Sequence, residues 1–137
     1  MKILFIGDIF GQPGRRILKE ALPSLVQEHA PDLVLANVEN AAAGFGITPP
    51  LVEEVLDLGI AVLTSGNHIW DKKEIMNFLK SDASGRLLRP ANYPPGAPGH
   101  GLYLGKTPSG IGYAVIIFRG GFSCPASIAR FERPTLY

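Results

Sequence analysis

Five side chains with metal-ligating or proton-transfer chemistry stand just past three apolar runs. Asp8 follows Ile3-Leu4-Phe5-Ile6, Glu39 and Asn40 follow Leu33-Val34-Leu35-Ala36, and Asn67 and His68 follow Ile60-Ala61-Val62-Leu63. Taken singly, Asp8 reads as a turn or cap residue bonding local amides, and Glu39, Asn40 and Asn67 admit the same reading. Taken together, two carboxylates and two carboxamides converging on one place need a cation, because neighbouring carboxylates repel unless positive charge lies between them. Oxygen donors of this kind suit hard or borderline divalent ions such as Mg, Mn or Fe(II). A carboxylate between two ions can bridge them, and Glu39 is the natural bridge. His68 opens a loop beside this cluster, free to donate a proton to a leaving alkoxide. The plainer alternative is a ring satisfied by a carbonyl or by Asp71.

The other reactive side chains carry less. His29, at a helix end, complements the helix dipole, and His100 falls in a Pro/Gly loop exposed to solvent. Cys124 has no basic neighbour or helix start to activate it as a nucleophile. Trp70 and Phe45 read first as core or rim packing, with stacking on a nucleobase as the second use.

The convergence depends on the elements. Each apolar run is unbroken, as expected of a strand covered on both faces, and ligands of an open parallel sheet bind at the carboxyl ends of its strands. Between the runs, Arg15 to His29 places Ile17, Leu18, Ala21, Leu22, Leu25 and Val26 on one helical face, with a kink or a restart expected at Leu22-Pro23 and Ser24 as the new cap. Thr48-Pro49 signals a second helix start and Gly59 its stop. Asp71 and Glu74 form an acidic capping box ahead of Ile75, Met76, Phe78 and Leu79. Successive strand-helix-strand units predict an α/β protein with a doubly wound parallel sheet. Beyond Ser81, a Pro/Gly-rich connection leads to two strands, Leu102-Tyr103-Leu104 and Gly112 to Phe118, joined by the turn Thr107-Pro108-Ser109-Gly110. Residues 119–137 show neither period and read as an atypical, low-order tail after a 1–118 domain.

Composition excludes several classes. The chain has 137 residues, 46% hydrophobic and 18% charged, which fits one globular domain. Its net charge is +1, from 13 Lys+Arg against 12 Asp+Glu, so an extended nucleic-acid surface is not expected. The single cysteine excludes an intrachain disulfide, and the lack of a leader pattern or a long apolar span makes the cytoplasm the expected compartment, with no membrane partner.

These motifs resemble the calcineurin-like metallophosphoesterases, within them the bacterial 2′,3′-cyclic-nucleotide phosphodiesterase branch. The resemblance is carried from Met1 to about Val115 by Gly7-Asp8-Ile9-Phe10-Gly11, Val38-Glu39-Asn40-Ala41-Ala42 and Ser65-Gly66-Asn67-His68-Ile69-Trp70-Asp71. Phe10 replaces the histidine usual in the wider superfamily, as in this branch. The resemblance implies Asp8, Glu39 and Asn40 on a first metal, Glu39 and Asn67 on a second, His68 as proton donor, and iron or manganese as the ions. It implies a phosphate ester or cyclic nucleotide as substrate, and a four-layer α/β/β/α sandwich of which this chain supplies the N-terminal half. Members of the family are longer and bring further histidine ligands in their second half. No histidine follows His100 here. The chain therefore looks truncated, residues 119–137 resemble what a shifted reading frame would append, and impaired turnover is expected. An apolar sheet face left uncovered favours a homo-oligomer.

Two other readings compete. A nucleotide-binding module would use the glycines after the first strand, but Gly7, Gly11 and Gly14 do not give Gly-x-Gly-x-x-Gly. A non-catalytic remnant acting as an interaction partner is the other.

Overall fold

The computed structural model describes residues 1–120. In chain order its elements are β1 (Ile3–Ile6), α1 (Gly11–His29), β2 (Leu33–Asn37), α2 (Pro49–Leu56), β3 (Val62–Thr64), α3 (Lys73–Ser81), β4 (Leu87–Leu88), β5 (Leu102–Lys106) and β6 (Gly112–Ile116). The first four strands form one parallel sheet in the order β1-β2-β3-β4, and β5 and β6 form a separate antiparallel pair.

Alternation along the strands explains the layering. Val34, Ala36, Leu63 and Leu87 face one side and pack with Leu18 and Leu22 of α1, Val52 and Val55 of α2, and Ile75 and Leu79 of α3. Leu33, Leu35, Val62 and Leu88 face the other side, against Val115, Tyr103, Tyr113 and Ile117 of the hairpin region. Helices therefore cover one face and a second sheet covers the other, an α/β/β arrangement. The parallel α/β sheet and the facing second sheet hold as expected; the winding differs. Strand order advances without reversal, so the helices described share a single face, whereas double winding needs a change of direction.

The hairpin covers β2 to β4 more fully than β1. Ile3 and Phe5 pair with Leu33 and Leu35 and therefore share their face, yet they stay 49% and 52% exposed. On the hairpin, Leu102, Leu104 and Ile116 are exposed, as is Phe118 just beyond it. Burial and the neighbouring Tyr103 push the Tyr113 phenol above its ordinary range.

Three local expectations change. Helix α1 starts at Gly11 rather than Arg15, and Pro13 fits its first turn, where an amide has no intrahelical partner to lose. The helix also continues through Pro23 instead of restarting. Pro23 is exposed while Leu18 and Leu22 are buried, so packing holds the helix on the sheet and the bond lost at Pro23 is left to water. Finally, Asp71 does not cap α3, whose N-cap is Lys72 with no side-chain bond; Asp71 is engaged by His68 instead. Thr48 precedes α2 with Pro49 at its start, as expected, though its hydroxyl makes no cap bond.

The tail boundary at 119 and Cys124 concern residues that fall almost wholly, or wholly, outside the described ones. Among the described residues, no helix is long and apolar enough to cross a membrane.

Candidate metal centre

The site is built at the carboxyl edge of the parallel sheet, where backbone bonds lace the strand ends together. Ile9 N–H donates to the Asn37 carbonyl at 3.0 Å, and Val38 N–H to the Thr64 carbonyl at 2.9 Å. The loop after β2 closes on itself as Gly46 N–H donates to the Glu39 carbonyl at 2.6 Å. Arg15 of α1 reaches across to donate to the Ala41 carbonyl, tying the first helix to this loop.

Asp8 and Asn40 meet directly, with the Asn40 amide nitrogen donating to Asp8 Oδ1 at 2.7 Å. Asp8 holds this position at φ 24°, a backbone region that a non-glycine residue enters at a cost of roughly 1–3 kcal/mol. The surrounding bonds keep it there.

Glu39 lies against Gly66. A Cβ at position 66 would overlap Glu39 Oε2 and sit 2.7 Å from its Cδ, so the glycine leaves the space the carboxylate occupies. Glu39 Oε2 is buried and has no hydrogen-bond partner. A buried carboxylate oxygen without a donor is costly. A bound cation would satisfy it. Asn67 follows Gly66 in the chain and is exposed.

His68 Nδ1 lies 2.6 Å from Asp71 Oδ2. An ionised carboxylate only accepts, so Nδ1 carries the hydrogen and Nε2 is the nitrogen left for other work. This is the plainer reading of His68: Asp71 satisfies one ring nitrogen and thereby orients the other. Phe45 meets the His68 ring edge-on, with centroids 5.4 Å apart.

The structure brings Asp8 to Asn40 and Glu39 to the residue preceding Asn67-His68. Among the described residues, no group of three or more His, Cys, Asp and Glu side chains gathers into a metal cluster, so a cation here draws on the carboxamides Asn40 and Asn67 as well. That oxygen-rich set, together with the orphaned Glu39 Oε2, fits a hard divalent ion. Gly66 enters the sequence reading only within Ser65-Gly66-Asn67-His68 and with no role of its own; its place just before Asn-His is the available signal.

The remaining candidates stand apart. His29 closes α1, and its carbonyl accepts from Lys2 Nζ at 2.6 Å. His100 is exposed, as expected, and its Nε2 lies 3.1 Å from the Asp82 carbonyl. Trp70 packs on Tyr93 with ring centroids 4.6 Å apart, the packing role expected first. A cavity of about 320 Å³ lined by Leu33, Val34, Ala61, Lys106 and Tyr113 sits at the amino ends of β2 and β3, the edge opposite the donor cluster.

Fold and site together define a layered α/β protein whose polar donors collect at the carboxyl ends of a parallel sheet. The chain belongs to the YmdB-like protein family, whose model matches residues 4–132. That match runs past Val115, where the resemblance read from the sequence ends. Over 120 residues the chain is 44% identical to the 2′,3′-cyclic-nucleotide 2′-phosphodiesterase of Bacillus subtilis, covering 88% of this chain and 44% of that relative. A hypothetical protein from Thermus thermophilus superposes with a TM-score of 0.77 at 37% identity, over 88% of this chain and 45% of the other. A novel phosphatase from Mycoplasma pneumoniae superposes with a TM-score of 0.75 at 26% identity, over 88% and 43%. The chain thus spans less than half the length of these relatives.

Proposed function

We propose that this chain carries the cation-binding core of a metal-dependent phosphodiesterase acting on cyclic nucleotides or related phosphate esters. The observation that carries the reading is Glu39 Oε2, buried without a partner beside Gly66 at the shared edge of three strand ends. The similarity to a named phosphodiesterase supports it.

In this reading Asp8, Glu39 and Asn40 hold one divalent ion, and Glu39 and Asn67 contribute to a second, with iron or manganese the expected identities. When bound, the ions supply positive charge that draws electron density from the phosphoryl group. As water attacks phosphorus and the P–O ester bond breaks, His68, carrying a hydrogen on both ring nitrogens, would give its Nε2 proton to the departing alkoxide and keep the Nδ1–H that Asp71 accepts. The Asn40–Asp8 bond fixes the orientation of one carboxylate oxygen and leaves the other to a cation.

Because no histidine follows His100, the 137-residue chain by itself is expected to bind one ion weakly and to hydrolyse bis-p-nitrophenyl phosphate slowly. Elemental analysis with a chelator-controlled turnover assay checks this. Two tightly held ions with brisk turnover would overturn the impairment. Saturable ATP or NAD binding indifferent to chelator, without metal uptake, would replace this reading with the nucleotide-binding module.

A further inference from the structure

Two exposed rings border the donor cluster without belonging to it. Phe10 is 59% and Phe45 57% exposed. Both are anchored to one carbonyl: Asn40 O accepts the N–H of Gly11, the residue after Phe10, at 2.9 Å, and that of Gly44, the residue before Phe45, at 3.2 Å. The Phe10 ring lies over Gly44, where a Cβ would meet its Cζ at 2.9 Å. With φ at +94°, position 44 is reserved for glycine on conformational grounds as well. Phe45 in turn makes a T-shaped contact with His68, the expected proton donor, at 5.4 Å between centroids and 65° between planes.

Leaving two large apolar rings in water forgoes the stabilisation that burial would bring. Here the segments that carry the rings are tied to the backbone of Asn40, whose side chain already bonds Asp8. A phenyl ring offers no donor or acceptor to a sugar hydroxyl or a phosphate oxygen. It does offer a flat face to an aromatic base, and such stacking tolerates every base because each has a π-face.

We propose that Phe45, with Phe10 beside it, is the platform on which the base of a nucleoside phosphate ester stacks while its phosphate meets the Asp8, Glu39 and Asn40 oxygens through bound cation. The proposal rests on the phosphodiesterase reading and narrows it to esters that carry a base.

Calorimetric titration of the 137-residue chain in Mg²⁺ buffer with adenosine 3′-monophosphate and with ribose 5-phosphate tests it. The base is expected to tighten binding by roughly tenfold or more, the size of one stacking contact. Phe45→Ala is expected to remove most of that difference and leave ribose 5-phosphate affinity unchanged, while Phe45→Trp keeps the difference. Phe45 is exposed, so both variants should retain the wild-type circular dichroism spectrum. A preference for the nucleotide that survives Phe45→Ala would overturn the proposal. Equal binding of both esters by the wild type would overturn stacking alone, and binding of neither would overturn stacking together with the phosphodiesterase reading.

Discussion

Gly66→Ala is expected to leave the chain folded while weakening its affinity for Mn²⁺ by roughly 10- to 100-fold, the range found when a group supporting metal ligands is altered. Position 66 carries no positive φ, so alanine meets no conformational barrier there. What its Cβ meets is the carboxylate end of Glu39, a flexible group that can swing away at little expense to the backbone. The same movement withdraws Glu39 Oε2, the buried oxygen that has no protein partner. Calorimetric titration with Mn²⁺, alongside urea unfolding, separates the two effects. Wild-type affinity in the alanine variant would remove Glu39 from the ligand set.

Leu63→Ala is expected to do the reverse, damaging the scaffold first. Leu63 is fully buried in β3, pairs in register with Ala36 and Leu87, and belongs to the cluster that receives all three helices. Truncating such a leucine costs about 2–5 kcal/mol through lost transfer energy and the cavity left behind. That is a large share of the roughly 5–15 kcal/mol that holds a typical domain together. The apolar surface left exposed at Ile3, Phe5 and Leu104 adds nothing to the reserve. Urea denaturation followed by circular dichroism should show a correspondingly lower midpoint. A loss below about 1 kcal/mol would mean that β3 is not the packed centre described.

The contrast between these two residues shows what could be read from the chain alone. Parallel strands write themselves as unbroken apolar runs, so β1, β2 and β3 are legible, although β1 is left half exposed, and with them the sheet edge that Asp8, Glu39 and Asn67 follow. Strand β4 is not, because Leu87–Leu88 is too short to show a period. Its partner is fixed by pairing with Leu63 and Thr64, which is tertiary information. The hairpin was visible as two strands and a turn, but not its job of covering Leu33, Leu35, Val62 and Leu88. That cover and the one-way strand order replace the double winding expected from repeated strand-helix-strand units. The capping box fails because α3 begins one residue later than expected, with Lys72 at its N-cap, and the Asp71 carboxylate is turned to His68 Nδ1 instead.

Within the site, residue types were legible and their mutual support was not. Nothing in the spacing of Gly66 and Glu39, 27 positions apart, announces that one makes room for the other; that relation exists only once β2 and β3 lie side by side. The same holds for the backbone carbonyl of Asn40, which gathers Gly11 and Gly44 from two loops. Asp8 could be named as a ligand candidate from its place after an apolar run, while its φ of 24° follows from the bonds around it.

Amide broadening by substoichiometric Mn²⁺ in ¹H–¹⁵N spectra of the 137-residue chain tests most directly whether oxygen donors from three strand ends share a cation. The expected result is loss of signal centred on Asp8, Glu39, Asn40, Gly66 and Asn67, reversed by chelator. Broadening centred elsewhere, for instance at Asp32 on the opposite edge of the sheet, or spectra indifferent to the metal, would contradict it.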